Sequence, residues 1–274
     1  MEYQVVKKIN FNKATAKKIG AFLYDKETDG LYFESPWPFP VQILITDGLT
    51  KCYVTPMFIR LPFILKGWIN LDILLREIEL LKLVMEDRIL MHASCVDNTL
   101  IVGFPNSGKT YQTYKMVSQN GDLISEEYTI LRVMRITDRM SSAIASPYKR
   151  IMRTCFSART LKDCGIKTCL KEKIWLMFTS LRAWIMPFMF EAVIWKEIPA
   201  SGNSTVVKKI VYGSTKEEVK DWKTFAILCE NEFPFMSSEF LQAYAVATGY
   251  NLIGIQNKQR DLIKEFVNSI YNPA

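Results

Sequence analysis

Residues 103–110 form the segment of this sequence whose residue types and spacing point most directly to chemistry. The segment is Gly-Phe-Pro-Asn-Ser-Gly-Lys-Thr and fits the phosphate-loop pattern G-x-x-x-x-G-K-[ST] without a mismatch. Such a loop leaves a buried strand and opens a helix, because its backbone N–H groups and the helix N-terminus together surround phosphate oxygens. The apolar run at 99–104 and the helix-like run at 111–119 supply these two elements.

The pattern assigns a role to each position of the loop. Lys109 is expected to contact the β and γ phosphates of a nucleotide, and Thr110 is expected to ligate Mg²⁺. Gly103 and Gly108 allow the backbone to approach the phosphates closely. The predicted nucleotide-binding residues are Gly103, Phe104, Pro105, Asn106, Ser107, Gly108, Lys109 and Thr110.

Two carboxylates follow the next predicted strand. Glu126 and Glu127 come directly after the run at 122–125, 16 and 17 residues beyond Thr110. If that strand is a parallel neighbour of the strand before the loop, both carboxylates reach the phosphate end of the sheet. A solvated turn is the alternative for an isolated Glu-Glu pair, and the nearby loop favours a functional pair.

The remaining pattern predicts a mixed α/β fold. The first forty residues indicate short strands and turns, with prolines at 36, 38 and 40 before a strand at 41–46. Helical spacing predicts a helix over 71–86 with Asn70 as its N-cap. Single strands are predicted at 89–96 and 99–104, and a helix at 111–119 ends at Asn120-Gly121.

Further along the chain, a hairpin is predicted from 191–198 and 205–213, a helix at 215–223 and a strand at 225–229. Helices at 237–248 and 258–271 complete the pattern. A β-rich portion over 1–69 precedes a phosphate-loop core over 70–274, which contains a basic and apolar insertion at 149–195.

The stretch from Met91 to Glu127, MHAS…IVGFPNSGKT…NGDLISEE, resembles the HPr kinase/phosphorylase family, whose fold is like that of phosphoenolpyruvate carboxykinase. The segment NEFPFMSSEFLQAYAVAT is similar to part of the small kinases of this kind that tailor ribosomal peptides. The resemblance implies that Glu126 assists the metal site and that Glu127 is the catalytic base. It also implies that His92 lies near the phosphates.

This sequence departs from the family in three ways. Both acidic positions hold glutamate where the family has aspartate, which lengthens each side chain by one methylene. The hairpin between His92 and Gly103 is shorter, and the segment R-G-L-G-I-[IV]-D has no counterpart. These departures disfavour HPr itself as the substrate.

The net charge of +7 is concentrated in one segment. Eight basic residues and two acids give 149–173 a local charge of +6, and the following 22 residues are mostly apolar. One interpretation makes 149–173 a partly mobile lid or substrate loop, with Arg150 or Arg153 meeting the triphosphate or an acidic peptide, and makes 174–195 core. A second makes 149–195 a peripheral membrane contact. Nucleic-acid binding ranks last.

The sequence as a whole predicts an ATP-dependent kinase that uses Mg²⁺, with another nucleoside triphosphate as the alternative donor. Its acceptor is a serine or threonine hydroxyl of a peptide or protein, or a small alcohol. The alternative is a nucleotide-binding regulatory module without catalysis. The N-terminus lacks a secretory signal pattern, and six dispersed cysteines without a Cys-x-x-Cys pair are typical of a cytoplasmic protein. Formation of a homo-oligomer is left open.

Overall fold

The computed structural model describes residues 3–19, 22–34, 41–46, 51–57, 80, 82–104, 106–137, 140–148, 151–185, 193–199, 201–213, 215–232, 245 and 251–272. The chain divides into two compact units. The first contains residues 1–86 and 234–258, and the second contains 87–233 and 259–274. The phosphate-loop pattern and both glutamates belong to the second unit.

The first unit contains a six-stranded sheet in the order β1-β6-β5-β4-β3-β2. Adjacent strands are antiparallel except for β1 and β6, which are parallel. In β5 the side chains of Ile43 and Ile45 are buried and alternate with half-buried ones, as expected for a strand with one face on a core. The strands are β1 (Tyr3–Val5), β2 (Lys17–Ile19), β3 (Phe22–Asp25), β4 (Gly30–Glu34), β5 (Gln42–Thr46) and β6 (Lys51–Val54).

The second unit contains two larger sheets. The five-stranded sheet has the order β10-β8-β9-β16-β17, and the four-stranded sheet has the order β15-β12-β11-β7. Their strands are β7 (Arg88–Met91), β8 (Ser94–Val96), β9 (Thr99–Val102), β10 (Leu123–Ser125), β11 (Thr129–Thr137), β12 (Met140–Pro147), β15 (Thr205–Val206), β16 (Lys209–Tyr212) and β17 (Glu217–Glu218). The fold is therefore mixed α/β.

A two-stranded ribbon and five labelled helices complete the described structure. The ribbon pairs β13 (Ile151–Ser157) with β14 (Val193–Pro199) in antiparallel register. The helices are α1 (Lys109–Val117), α2 (Ala158–Asp163), α3 (Leu170–Ile185), α4 (Trp222–Glu232) and α5 (Leu252–Tyr271). Residues 82–85 are also helical.

Two apolar cores hold the second unit together. The first lies against the five- and four-stranded sheets and includes Phe225 of α4 and Phe266 of α5, whose rings stack 6.0 Å apart. The second contains Tyr114 of α1, Phe156 of β13 and Val211 of β16. Helix α1 and the ribbon are thus packed onto the five-stranded sheet by side chains at helical and strand spacing.

Short connections carry the chain between the two sheets of the second unit. His92 and Ala93 connect β7 to β8, and residues 126–128 connect β10 to β11. Because β7 pairs with β11 and β8 pairs with β10, these two connections run side by side. The run at 89–96, predicted as a single strand, is therefore two strands in different sheets.

Several sequence predictions are confirmed and others are wrong. The strands at 42–46 and 99–102, the helix after the phosphate loop and the C-terminal helix are confirmed. The hairpin between 191–198 and 205–213 is wrong, because β14 pairs with β13. The predicted helix at 215–223 and strand at 225–229 are wrong, because residues 217–218 form β17 and helix α4 covers 222–232. The prolines at 36–40, most of the helix at 71–86 and most of the helix at 237–248 lie outside the described residues.

The interpretation of 149–173 as a partly mobile lid stays a prediction, but the segment is not a loop. Strand β13 and helix α2 occupy this segment, and Phe156, Leu161 and Cys164 are buried in the second core. The prediction that 174–195 is core is confirmed at Ile194, which is buried in the second core, and at Leu176, which packs against it. The prediction is wrong at Ile174 and Phe178, which are exposed. Arg150 and the side chain of Arg153 lie outside the described residues.

Candidate functional site

The phosphate-loop segment connects β9 to α1, as its sequence predicts. Gly103 follows β9 with φ 149°, Asn106 has φ 65°, and Gly108 has φ 85° immediately before the helix. A Cβ atom at Gly103 would lie 2.3 Å from the Ser107 hydroxyl oxygen, so this position requires glycine. Pro105 lies outside the described residues.

The Lys109 side chain folds back over the loop that precedes it. Its ammonium donates hydrogen bonds to the carbonyl oxygens of Gly103, at 2.5 Å, and Phe104, at 3.3 Å. Lys109 is 9 % exposed, and the Thr113 hydroxyl bonds to its carbonyl oxygen. The ammonium is thus held against the backbone of the loop, where it can exchange carbonyl oxygens for phosphate oxygens.

The N-terminus of α1 has positive potential from its backbone N–H groups. Gly108 is the N-cap and has no side chain to accept from the first-turn N–H groups, and the first turn contains no acidic residue. Backbone N–H groups at a helix start attract anions because the helix dipole adds to their own partial charge. The start of α1 therefore favours an anionic ligand.

A second strand supports the loop from the other side. Strand β16 is the parallel neighbour of β9, with Tyr212 opposite Val102, and the Gly213 N–H donates to the Val102 carbonyl at 2.7 Å. A Cβ atom at Gly213 would lie 2.3 Å from the Ser107 carbonyl oxygen. The sequence does not predict this contact, because residues 103–208 separate β9 from β16 and local patterns do not specify the order of strands so far apart.

Glu126 lies at the same edge of the sheet as the loop. Strand β10 is separated from β9 by β8, so the prediction that these two strands are neighbours is wrong. Both β10 and β9 are antiparallel to β8, so they run in the same direction and end at the same edge of the sheet. The two carboxylates therefore reach the edge of the sheet that the sequence predicted.

The Glu126 carboxyl group is buried against helix α1. Its side chain is 2 % exposed, and Oε2 accepts a hydrogen bond from the Tyr114 hydroxyl. Tyr114 follows Thr110 by four residues, so both lie on the helix face that is turned to Glu126. The sequence pattern does not predict this bond, because the two residues meet only through the packing of α1 on β10.

Burial determines the protonation of Glu126. Removal from water raises the pKa of the carboxyl group to about 8, and the nearby negative charge of Glu127 adds to the rise. The nearby Thr154 hydroxyl, which favours the charged carboxylate, opposes the rise. Glu126 Oε1 lacks a hydrogen-bond partner among the described residues. The group is therefore neutral at pH 7 until a cation or donor reaches it.

Glu127 occupies a strained turn at the start of the connection to β11. Its φ is 60°, and the Tyr128 N–H donates to the Glu126 carbonyl at 2.7 Å, which closes a three-residue turn. Positive φ is unfavourable for a residue with a side chain and is found mainly where the surrounding structure imposes it. Glu127 itself is half-buried.

His92 lies in the neighbouring connection and stacks on Tyr128. The two ring centroids are 5.2 Å apart with an interplanar angle of 30°, and Tyr148 contacts Tyr128 edge-on at 6.1 Å. His92 therefore lies beside the connection that carries Glu127, since Tyr128 follows Glu127 directly. The position of His92 near the phosphates stays a prediction.

Three residues tie the two connections together. The Thr129 hydroxyl donates to the Ala93 carbonyl at 2.6 Å and shares a hydrogen bond of 2.6 Å with the Ser125 hydroxyl. All three residues are buried. Buried hydroxyls that are fully bonded fix local geometry, so the backbone on both sides of Glu126 and Glu127 is held in place.

No family model matches the chain, and a search of curated proteins finds no match.

The predicted magnesium site offers few protein ligands. Within the described residues, no group of three or more His, Cys, Asp or Glu side chains could hold a metal ion. Mg²⁺ in nucleotide sites takes only one or two protein oxygens and completes its shell with phosphates and water. Two groups fit that smaller requirement. Glu126 Oε1 is buried and has no hydrogen-bond partner among the described residues, and Thr110 is half-buried on the side of α1 that faces Glu126.

Tyr111 does not join Tyr114 in a common site. The Tyr111 hydroxyl donates to Asp163 at 3.4 Å, and the Arg159 guanidinium lies 5.8 Å from its ring centroid. The two tyrosines therefore pack in different surroundings, Tyr111 against α2 and Tyr114 against Phe156 and Glu126.

Proposed function

We propose that this protein is an ATP-dependent kinase of the HPr-kinase-like class, with a core like that of phosphoenolpyruvate carboxykinase. Its acceptor would be a serine or threonine hydroxyl of a peptide or protein, or a small alcohol, and we propose a cytoplasmic location because ATP is available there. The observation that carries the proposal is the position of Lys109 over the loop at the strand edge that also ends in Glu126 and Glu127.

Each residue of the site has a proposed task. Lys109 would move its hydrogen bonds from the Gly103 and Phe104 carbonyls to the β and γ phosphates, and the loop N–H groups would hold the same oxygens. Thr110 and Glu126 would hold Mg²⁺, which supplies positive charge that offsets the charge of the phosphates when it is bound. His92 would stand close to the transferred group.

Glu127 is the proposed general base. The acceptor hydroxyl oxygen forms a bond to the γ phosphorus, and the bond from that phosphorus to the bridging oxygen of ADP breaks. The hydroxyl proton passes to a Glu127 carboxylate oxygen. The strained turn at Glu127 and the bonded Thr129, Ser125 and Ala93 around it support this role, because a base must be held in one position.

A nucleotide-binding module without catalysis is the second candidate. The burial of Glu126 favours it, because a neutral carboxyl group that accepts from Tyr114 is already satisfied at one oxygen. In such a module nucleotide binding would regulate a partner, and Glu127 would have no chemical task.

Thermal unfolding with and without nucleotide tests the loop. MgATP or MgADP at about a hundred times its Kd should stabilise the wild type by roughly 2.7 kcal/mol, which raises Tm by several degrees. Lys109→Ala should lose this shift, and Lys115→Ala, later in the same helix, should keep it. If neither nucleotide raises the Tm of the wild type, the proposed loop function is wrong.

Transfer of radiolabelled γ phosphate separates the two candidates. The wild type should label a serine- and threonine-containing peptide library, whereas Glu127→Gln should bind MgATP with an unchanged thermal shift and label nothing. Nucleotide binding in both proteins with labelling in neither would favour the regulatory module.

A further inference from the structure

Helix α3 carries an exposed apolar surface that the proposed kinase site does not use. Five large apolar side chains of its first three turns are between 44 % and 74 % exposed. They are Leu170, Ile174, Trp175, Met177 and Phe178. Single exposed apolar residues are ordinary, but a contiguous group on one helix marks an interaction surface.

The spacing places most of these side chains on one side of the helix. Leu170, Ile174 and Phe178 follow one another at intervals of four, and Met177 lies seven residues after Leu170. The opposite side holds the helix to the protein: Leu176 packs against the second core, and Glu172 pairs with Lys196 of β14 at 3.0 Å. The apolar side is therefore turned outward.

The start of α3 is fixed in this orientation. The Cys169 N–H donates to Glu172 Oε2 at 2.8 Å, so Glu172 caps the helix while it binds Lys196. The Lys196 ammonium also donates to the Lys167 carbonyl. A helix held by its cap, an ion pair and a core contact presents its outer side as a rigid surface.

Positive charge accompanies the apolar side. Lys167, Lys171 and Lys173 are exposed, and the only acid between 166 and 178 is Glu172, which is paired on the inner side. Two copies of this chain that met through α3 would bring lysines together, which opposes self-association. An anionic lipid surface matches both features, since lysines attract its headgroups and the apolar side chains enter the boundary with the acyl chains.

We propose that residues 170–178 of α3 dock the protein on an anionic membrane surface. Within the described residues, no helix is long and apolar enough to cross a bilayer, so α3 would lie in the plane of the interface. Trp175 suits that depth because its ring is apolar and its N–H remains close to water. The proposal is independent of nucleotide binding at the loop.

Sedimentation of the full chain with lipid vesicles tests the proposal. Binding should be strong to vesicles of phosphatidylcholine mixed with phosphatidylserine, weak to phosphatidylcholine alone, and reduced by salt. Lys171→Gln with Lys173→Gln should weaken binding about thirtyfold. Leu170→Ser with Phe178→Ser should weaken it roughly a hundredfold. Ile136→Ser, at a side chain 56 % exposed on β11, is the matched control and should bind as the wild type does.

Circular dichroism and the nucleotide-free Tm should be the same for all these variants, because every substituted side chain is exposed. Absence of binding to the mixed vesicles at low salt would overturn the proposal. Unchanged binding by the Leu170→Ser, Phe178→Ser protein would also overturn it. A dimer in light scattering that dissociates in this variant, without vesicle binding by the wild type, would show that α3 is instead a subunit interface.

Discussion

The Tyr114 hydroxyl of α1 donates a hydrogen bond to the buried carboxyl group of Glu126, which links the helix after the phosphate loop to the end of β10. The two residues are 4 % and 2 % exposed, so water does not replace either partner if the other is removed. This bond is the direct contact between the loop's helix and the acidic pair.

Tyr114→Phe removes the donor and leaves Glu126 Oε2 buried without it. We expect the free energy of unfolding to fall by about 1–3 kcal/mol, because a buried acceptor loses its partner. Tyr111→Phe is the matched control: its hydroxyl reaches the exposed Asp163 at 3.4 Å, and the expected loss is below about 1 kcal/mol. Urea denaturation of both variants measures the difference, and equal losses would contradict the assigned bond.

Sequence reasoning could find the loop but not its surroundings. The pattern at 103–110, the glycine positions and the flanking strand and helix are local, and the structure contains them as expected. The support of Ser107 by Gly213 and the bond from Tyr114 to Glu126 depend on pairings between distant segments.

The errors in secondary structure have a related cause. Residues 89–96 are continuously apolar enough to indicate one strand, and only the pairing of β7 with β11 and of β8 with β10 divides them. Residues 225–229 indicate a strand by composition, but Phe225 and Leu228 lie on the core side of α4 at helical spacing. For short apolar runs, tertiary packing overrides local preference.

The stability of the protein should depend on pH through Glu126. The carboxyl group titrates near 4.5 in an unfolded chain, and burial raises its pKa to about 8 in the folded protein. Between these pH values the folded protein holds a proton that the unfolded chain has released. The extra proton therefore stabilises the folded protein fully below about pH 4.5, and this stabilisation is lost as pH rises through about 8.

Glu126→Gln removes this dependence and keeps the shape of the side chain. With EDTA and without nucleotide, the free energy of unfolding of the variant should exceed that of the wild type above pH 8 by roughly a few kcal/mol. Tm measured from pH 5 to about pH 9 gives both curves. Glu265→Gln, at a partly exposed glutamate, controls for the substitution itself. Parallel curves for the wild type and Glu126→Gln would rule out this linkage.

Gly213→Ala should damage the phosphate loop from outside it. The new Cβ atom would meet the Ser107 carbonyl oxygen at 2.3 Å, and a backbone atom can move only if the loop moves. Gly165→Ala is the matched control. Gly165 also has a positive φ, 64° where Gly213 has 35°, but a Cβ atom at Gly165 would have no other atom within 4 Å. Both substitutions should cost about 1–2 kcal/mol of backbone strain. Only Gly213→Ala should also lose the thermal shift caused by MgATP, so equal shifts in both variants would refute the support of the loop by Gly213.

Phe156→Ala tests the packing of the ribbon onto α1. The ring is fully buried and contacts Tyr114 edge-on with centroids 4.6 Å apart, so its removal should cost about 3–5 kcal/mol in a denaturant titration. Phe178→Ala, at a side chain 60 % exposed, should change stability by less than about 0.5 kcal/mol. A small loss at Phe156 would contradict the packing of the ribbon onto α1.

The connections between the two sheets of the second unit have a mechanical consequence. Residues 92–93, 126–128 and 207–208 each carry the chain from one sheet to the other in two or three residues. The Val207 N–H bonds to Ala143 of one sheet, and the Lys208 N–H bonds to Asn98 in the turn of the other. Sheets joined by three such short links cannot rotate against each other without breaking these bonds. The loop and the acidic pair therefore share one stiff frame, and any closing movement over the proposed site must come from segments outside that frame.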